Sequence, residues 1–577
     1  MGGACSRKRD QPDSAEDLQR GGSGRSSRSI SLRWPVNPPF RVPGDISKGS
    51  AKLPSLMELS VQKICETIDR YESFAMLPRD LSQQIFNELV HTQVLKRESL
   101  QAFRDCALQD VFLGFYPNVE DSWLEILATQ GPSLLAVDIT GSAVTDSGLV
   151  RLRDCLNLQL LNFNYCDYIS DVGLGYVAGF TNLTSLSFKR SNAITPAGLH
   201  ALAGLVKLKS LDLERCTEIH GGLVHLKGLT NLESLNIGWC NCIKNLDIKH
   251  LAGLTNLKEL QISRSKVTDS GIASLKGLKK LSLLNMEGCN VSAACMETIS
   301  GFVALIYLNM TSCCMTDAGC QKLGGLVNLK TLILGYNNIT DAGLVHLRGL
   351  TNLEDLNLDS CSIGDAGLEC LRGLTFLKNL DLSDSEVGSN GLHHLSGLTK
   401  LESLNLSFTQ VTDTGLRRLS GLTALKSLNL DIRQVTDTGL AALTSLTGLT
   451  HLDLFGARIT DYGTSWLRSF KKLQSLELCG GGITDAGVRN MKDLTSLISL
   501  NLSQNSHLTD AALEFISGMT ALVSLNISNS RVTNAGLQHL KPLKNLTTLS
   551  LHACKVTLPE IRRLQATSLP NLCLREE

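Results

Sequence analysis

Eighteen cysteines and twelve histidines give this chain ample material for metal binding, disulfide formation or proton transfer. Zinc ribbons and dithiol redox sites need thiols in close pairs, and no Cys-x-x-Cys occurs anywhere. Cys313-Cys314 and Cys240-x-Cys242 are the nearest approaches. Cys166, Cys216, Cys240, Cys289, Cys313, Cys361 and Cys554 share one slot of a repeating unit, which Asn337 and Asn505 fill elsewhere. That equivalence predicts structural thiols, packed or bonded to neighbouring turns, in a reducing compartment. His225, His346 and His539 also recur at one position, so a shared packing or surface role is expected. Signatures of phosphate-binding loops, zinc proteases, serine hydrolases and kinases are missing. No catalytic residue, metal ligand or cofactor is assigned.

The N-terminus carries a different chemistry. MGGACSRKR fits the M-G-x-x-x-[ST] pattern for N-myristoylation, with Gly2 as acceptor once Met1 is removed and Ser6 in place. One acyl chain holds a membrane only marginally, so a second signal is needed. Cys5 offers a palmitoylation site, and Arg7, Lys8 and Arg9 meet anionic head groups at about 1 kcal/mol each. These residues predict a cytoplasmic protein held by acyl chains at the inner face of the plasma membrane.

The elements that position everything else come from one repeated phrase. From about Leu134 a unit of 24 to 25 residues is written 18 times, with a closing half copy. NLKTLILGYNNITDAGLVHLRGL from Asn328 and NLEDLNLDSCSIGDAGLECLRGL from Asn352 show the grammar. Leu329, Leu332, Leu334 and Leu353, Leu356, Leu358 spell LxxLxL, a short strand with one face buried. A polar turn follows, then Thr-Asp as at Thr340-Asp341 or Thr484-Asp485, where Thr caps a helix and Asp meets its positive dipole end. GLxxLxGL closes the unit, with Gly349 expected as a left-handed C-cap. So short a helix is unstable alone, and stability must come from stacking.

These residues resemble a leucine-rich-repeat solenoid from about Leu134 to Leu574. The resemblance implies an α/β fold with parallel strands on a concave face and short helices on a convex one. Some 19 strands at about 4.8 Å spacing give an arc of roughly 85 Å, ample for a protein interface. Formal net charge is zero, which gives no pull toward nucleic acid, and no apolar run approaches the roughly 18 residues of a membrane span. The chain divides into a basic tether over 1–50, a small all-helical segment over 51–130 and the solenoid over 131–577. The tether has too few apolar residues for a core.

In the helical segment, Leu56, Leu59, Ile64 and Ile68 form one apolar face, and Leu81, Ile85, Phe86, Leu89 and Val90 a second, with Pro78 opening the second helix. A solenoid end needs a cap, and this segment can supply it. LPRDLSQQIFNEL from Leu77 also resembles the opening of an F-box. Ser55, Leu56, Ser60 and Ile64 resemble an elongin-binding box, with Ser60 where Cys is usual, and Leu77, Pro78, Leu81 and Ile85 fit a cullin-selecting box. Either resemblance implies a substrate receptor of a cullin-RING ubiquitin ligase that binds a Skp-type adaptor, or elongin C, with a cullin. The alternative is a membrane-tethered scaffold without ubiquitin chemistry.

A protein substrate is expected on the concave strand residues. Most of these are repeat consensus, such as Asn357, Asp381, Asn405 and Asn501. The third to sixth units break the pattern with Lys189-Arg190, Glu214-Arg215, Gly238-Trp239 and Ser263-Arg264. Side by side, these predict a basic patch of Lys189, Arg190, Arg215 and Arg264 around Trp239, suited to an acidic or phosphorylated partner. Tyr336, Phe408 and Phe455 form a looser aromatic set.

Overall fold

The computed structural model describes residues 55–573. Two compact units divide the chain, Met1–Leu59 and Ser60–Glu577. Of the first, the described residues open helix α1 (Leu56–Glu66), where the Ser55 hydroxyl accepts a hydrogen bond from the Glu58 N–H at 3.2 Å.

The second unit is an open solenoid with one parallel sheet of 19 strands, each three residues long and paired with its sequence neighbours. The register keeps like residues side by side, as in Leu332 with Leu356 and Leu525 with Leu549. The ladder starts one unit before the leucine period. Strand β1 (Asp110–Phe112) pairs with Ala136–Asp138 and is followed by a helix at Asp121–Leu127, inside the 51–130 stretch read as helical. Leu108, Val111 and Leu113 are buried there, and Trp123 in the place of the helix Gly obscures the pattern. The helical cap therefore ends near Phe103.

Helix α2 (Arg79–His91) buries Ile85, Phe86 and Leu89, with Pro78 just outside it as N-cap. Phe86 meets Phe103 edge-on at 5.5 Å, and Phe74 meets Phe103 at 5.0 Å. From its outer turn Gln83 closes the open sheet edge. Its Oε1 accepts the Gln109 N–H at 2.9 Å, and its Nε2 donates to the Asp110 carbonyl at 2.7 Å. A bare strand edge is an aggregation template, and the cap removes it. At the far end, the Cys573 N–H donates to the Thr547 carbonyl at 2.7 Å, beside helix Leu558–Thr567.

Stacking rests on the Thr-Asp step. Thr340 caps its helix by accepting the Ala342 N–H at 3.2 Å. Its own N–H and hydroxyl reach back to Asp317 of the preceding unit at 2.8 and 2.7 Å. Asp437 with Thr460 and Asp461 with Thr484 repeat this geometry. The carboxylate thus spans two units besides facing its own helix dipole. The Gly of the DAGL phrase makes room for it: a Cβ on Gly343 would fall against Asp317 Oδ1. Gly349, by contrast, is not left-handed. The positive-φ residue lies on the opposite turn of the unit, next to the cysteine slot.

The cysteine slot is an inter-unit bond. Cys166, Cys216, Cys240, Cys289, Cys313, Cys361 and Cys554 point Sγ at a carbonyl of the preceding unit, for example Cys313 at Met286 (3.0 Å) and Cys240 at Leu213 (3.1 Å). Asn337 and Asn505 donate Nδ2 to the equivalent carbonyls at 2.8 Å. Burial pushes the Cys216 thiol up to about 12 and that of Cys361 to about 11. Among the described residues no helix is long and apolar enough to cross a membrane.

Candidate functional site

The last residue of most strands is Asn or Asp, and the structure gives a local reason. Its side-chain oxygen accepts the N–H two residues on, as Asn236 does from Gly238 (3.0 Å) and Asp212 from Glu214 (3.1 Å). This bond turns the chain out of the strand. The next residue adopts positive φ, and the slot cysteine or asparagine follows. A column of left-handed residues therefore runs along one rim of the sheet, nearly one per unit.

Glycine or asparagine suits that conformation, yet the N-terminal part of the column holds large side chains. Phe115, Tyr165, Arg190, Arg215, Trp239 and Arg264 all have φ between 55° and 63°. Each of the last four donates its N–H to the neighbouring unit, the shortest being Trp239 to the Ser263 carbonyl at 2.6 Å. The conformation belongs to the repeat, and what sets these units apart is the size of the side chain it carries. The column breaks at Ile432, whose β-branch resists positive φ. Its N–H instead closes a tight turn onto Leu430, and the side chain is buried.

At the centre, the guanidinium carbons of Arg215 and Arg264 lie 5.1 and 5.3 Å from the Trp239 ring, one on each neighbouring unit. Trp239 remains 44% exposed. Cation–π contact holds the two arginines in place, and both side chains remain about half exposed. Glycines in the column give neighbours space. A Cβ on Gly288 would stand 2.7 Å from Arg264 Cδ, and one on Gly141 would stand 2.7 Å from the Phe115 ring. Across Gly141, Phe115 and Tyr165 lie 6.0 Å apart. From Phe115 to Gly288 the ridge spans about 34 Å at ordinary strand spacing.

The predicted basic patch needs correction. Lys189 is no free cation: its Nζ lies 2.9 Å from Asp212 and 3.0 Å from Glu214, and its side chain is 13% exposed. Burial works to lower its pKa, and the two carboxylates outweigh this and raise it. Arg264 pairs with Glu287 at 3.2 Å. Lys189, Arg190, Arg215 and Arg264 thus share the surface with Asp212, Glu214 and Glu287, giving mixed charge around one tryptophan. Phe115 and Tyr165 belong to this surface and were not singled out from sequence. The position just before the cysteine slot was the signal that leads to them. Tyr336 and Phe408 fall in the same column farther on, while Phe455 does not.

The candidate adaptor residues separate. Leu56, Ser60 and Pro78 are exposed, and Leu56 is 82% so. Ile64, Leu77 and Leu81 are half-buried. Ile85 is 1% exposed within the cap core, so it cannot anchor a partner. Gly2 and Cys5 lie outside the described residues. His225 faces His200 of the preceding unit, Nδ1 to Nδ1 at 3.3 Å. Among the described residues no group of three or more His, Cys, Asp or Glu is placed to hold a metal ion.

A family model described as "Leucine-rich repeat region" matches residues 335–573, and another, "Leucine Rich repeat", matches residues 253–276 and 305–324. No curated protein matches the chain. Among solved structures, it is similar to the internalin InlF of Listeria monocytogenes at 28% identity, over 57% of this chain and 87% of that one, with TM-score 0.45. A leucine-rich-repeat protein of Leptospira interrogans is similar at 20% identity, over 71% and 94%, with TM-score 0.46. The ectodomain of the receptor kinase GASSHO1/SCHENGEN3 of Arabidopsis thaliana is similar at 18% identity, over 82% and 59%, with TM-score 0.41.

Proposed function

We propose that this chain, a leucine-rich-repeat protein, is a protein-binding receptor without chemistry of its own that holds its partner on the ridge from Phe115 to Gly288. The observation that carries this reading is the exposed Trp239 between Arg215 and Arg264. Trp and Arg dominate binding hot spots, and these side chains are held before any partner arrives. The chemistry suits a segment that sets an acidic group against the guanidinium forks and an apolar side chain beside the ring. Capture from cells, comparing wild type with Trp239→Ala and with Arg215→Ala/Arg264→Ala, tests this. The principal partner should be weakened by about thirtyfold or more in Trp239→Ala. Retention at wild-type strength in both variants would place the site elsewhere.

We further propose that the receptor is the substrate-recognition subunit of a cullin-RING ubiquitin ligase. Exposed apolar Leu56, Met57 and Leu59 on α1 support this, because a helix that presents such a face can enter a hydrophobic groove. Purification of wild type should recover elongin C or a Skp-type adaptor together with a cullin, and Leu56→Asp should lose both. Recovery of neither with wild type would favour the alternative, a scaffold tethered to the membrane through acylated Gly2 and Cys5. Gly2→Ala measures that tether by membrane fractionation.

A further inference from the structure

At two places on the helix side of the solenoid, charges one unit apart meet with opposite sign. Lys322 stands 3.0 Å from Glu297, and Arg348 stands 3.8 Å from Glu369. Two other places reverse the sign, Lys227 facing Lys249 and Arg468 facing Arg489, and the second gathers further cations around it. In the register of the repeat, Arg468 is the counterpart of Arg348, and Arg489 is the counterpart of Glu369. A cation therefore faces the cation of the next unit where Glu369 completes the pair with Arg348.

This reversal is not isolated. Lys471 takes the place held by Thr351, Thr375 and Thr399 in other units, and Lys492 adds a charge beside Arg489. Arg468, Lys471, Arg489 and Lys492 line one cleft of about 380 Å³, together with Asn490 and Asp493. Segments Ser465–Ser469 and Asp485–Met491 form its walls. Asn490 fixes one wall, its Nδ2 donating to the Asp461 carbonyl at 2.9 Å and to Thr464 Oγ1 at 3.1 Å. Arg468 Nε is tied back to the Ser465 carbonyl at 2.7 Å, which sets the direction of its side chain. Among the described residues none of the four cations is in an ion pair.

Like charges at facing positions weaken a fold, and four cations against one carboxylate leave an excess that water and salt only screen. A bound anion removes the repulsion. Arginine forks chelate phosphate oxygens and lysines add point charge, so this set matches more than one phosphate group. The cleft falls in the size range of small-molecule sites. We propose that it binds a small ligand with clustered phosphates, of the kind carried by inositol polyphosphates and by phosphoinositide head groups. The site lies apart from the ridge, on the helices, and does not depend on the receptor reading.

Calorimetry on the full chain with inositol hexakisphosphate, inositol trisphosphate and inorganic phosphate tests the assignment. Saturable one-to-one binding of an inositol phosphate is expected. Binding should weaken about tenfold or more in Arg468→Gln/Arg489→Gln, and inorganic phosphate should not compete at equal concentration. Without ligand, that variant should melt no lower than wild type, because it loses a repulsion. If it does not fold, Lys471→Gln/Lys492→Gln serves instead. Vesicles with phosphatidylinositol bisphosphate, against phosphatidylserine vesicles of equal charge, separate the sources: selective vesicle binding assigns a lipid head group, and binding of free inositol phosphate alone assigns a soluble ligand. The proposal is overturned if neither form binds, if the variant binds as wild type does, if inorganic phosphate competes equally, or if a doubly phosphorylated peptide is preferred.

Discussion

Replacing Gly463 by Ala probes whether the contact between a Gly and the preceding unit's Asp sets the spacing of the stack. Gly463 lies in the helical turn Asp461–Thr464 at ordinary negative φ, so by propensity alone Ala should stabilise it by about 0.5–1 kcal/mol. The native stack opposes this. The new Cβ would overlap Asp437 Oδ1 and lie 2.7 Å from Asp437 Cγ, while Ile459 Cγ2, the tip of a movable side chain, is next at 3.1 Å. Asp437 cannot yield freely, because it accepts the Thr460 N–H at 2.8 Å and the Thr460 hydroxyl at 2.6 Å. Bonds to charged groups contribute about 1.5–3 kcal/mol each, less at a partly exposed site, so straining both should cost about 2–3 kcal/mol net. Asp437→Ala alone should cost a similar amount. In the Asp437→Ala background the overlap is gone, and Gly463→Ala should become neutral or stabilising by about 0.5 kcal/mol. Urea unfolding of the four proteins, with amide exchange over the units around Leu440 and Leu467, measures the cycle. An equal effect of Gly463→Ala in both backgrounds would refute the reasoning.

Other perturbations follow from the same geometry. Burial and the neighbouring Asp453 charge push the Asp431 carboxyl up to about 6, against the opposing pull of Arg433. An acid raised on folding favours the fold below its unfolded value of 3.8, and that contribution is lost as pH rises to about 6. Asp431→Asn should therefore raise Tm at pH ~7 and leave it nearly unchanged at pH ~4; a shift equal at both would remove the cause. Among the described cysteines, Cys314 and Cys573 are exposed and should react first with maleimide, while Cys166, Cys216, Cys240, Cys289, Cys313 and Cys361 should wait for unfolding. Rapid native labelling of those six would contradict the inter-unit bonds. Trp239→Ala should lower stability by no more than about 2 kcal/mol, since each cation–π contact at an exposed site contributes about 0.5–1 kcal/mol. A larger loss in thermal unfolding would assign the tryptophan to the fold instead of to a partner.

The period, the strand at LxxLxL and the shared role of the slot cysteines were legible because each depends on residues within one unit. Features that depend on two units were not. Asp317 reads as a helix-dipole partner until the next unit's Thr340 is placed beside it. Lys189 reads as a free cation until Asp212, one unit on, arrives within 2.9 Å. The first unit escaped notice because Trp123 stands where its helix should carry Gly, although the burial pattern is the same. The left-handed column was hidden for the opposite reason. Sequence habit assigns positive φ to glycine, so Gly349 drew the expectation while Arg215, Trp239 and Arg264 took the conformation. Likewise, Ile85 carried an apolar pattern that serves a core as well as a docking face. Periodicity cannot distinguish the two.

The link between units also bears on how such a chain can change length. Each consensus unit supplies a Thr and a Gly to the unit before it and an Asp to the unit after it, so the join between two units is the same wherever it is made. A duplicated unit carries both halves of the join and can be inserted between two others without new complementary mutations. Copy number can then drift by recombination while the packing rule stays fixed. Such drift moves whole blocks of the rim, displacing Trp239 and the cleft around Arg468 relative to each other in steps of about 4.8 Å. The places where the join is altered resist this. His220 meets Asp247 by a different bond, at 2.9 Å, so a copied unit would not fit there and the neighbouring arginines and tryptophan keep their order.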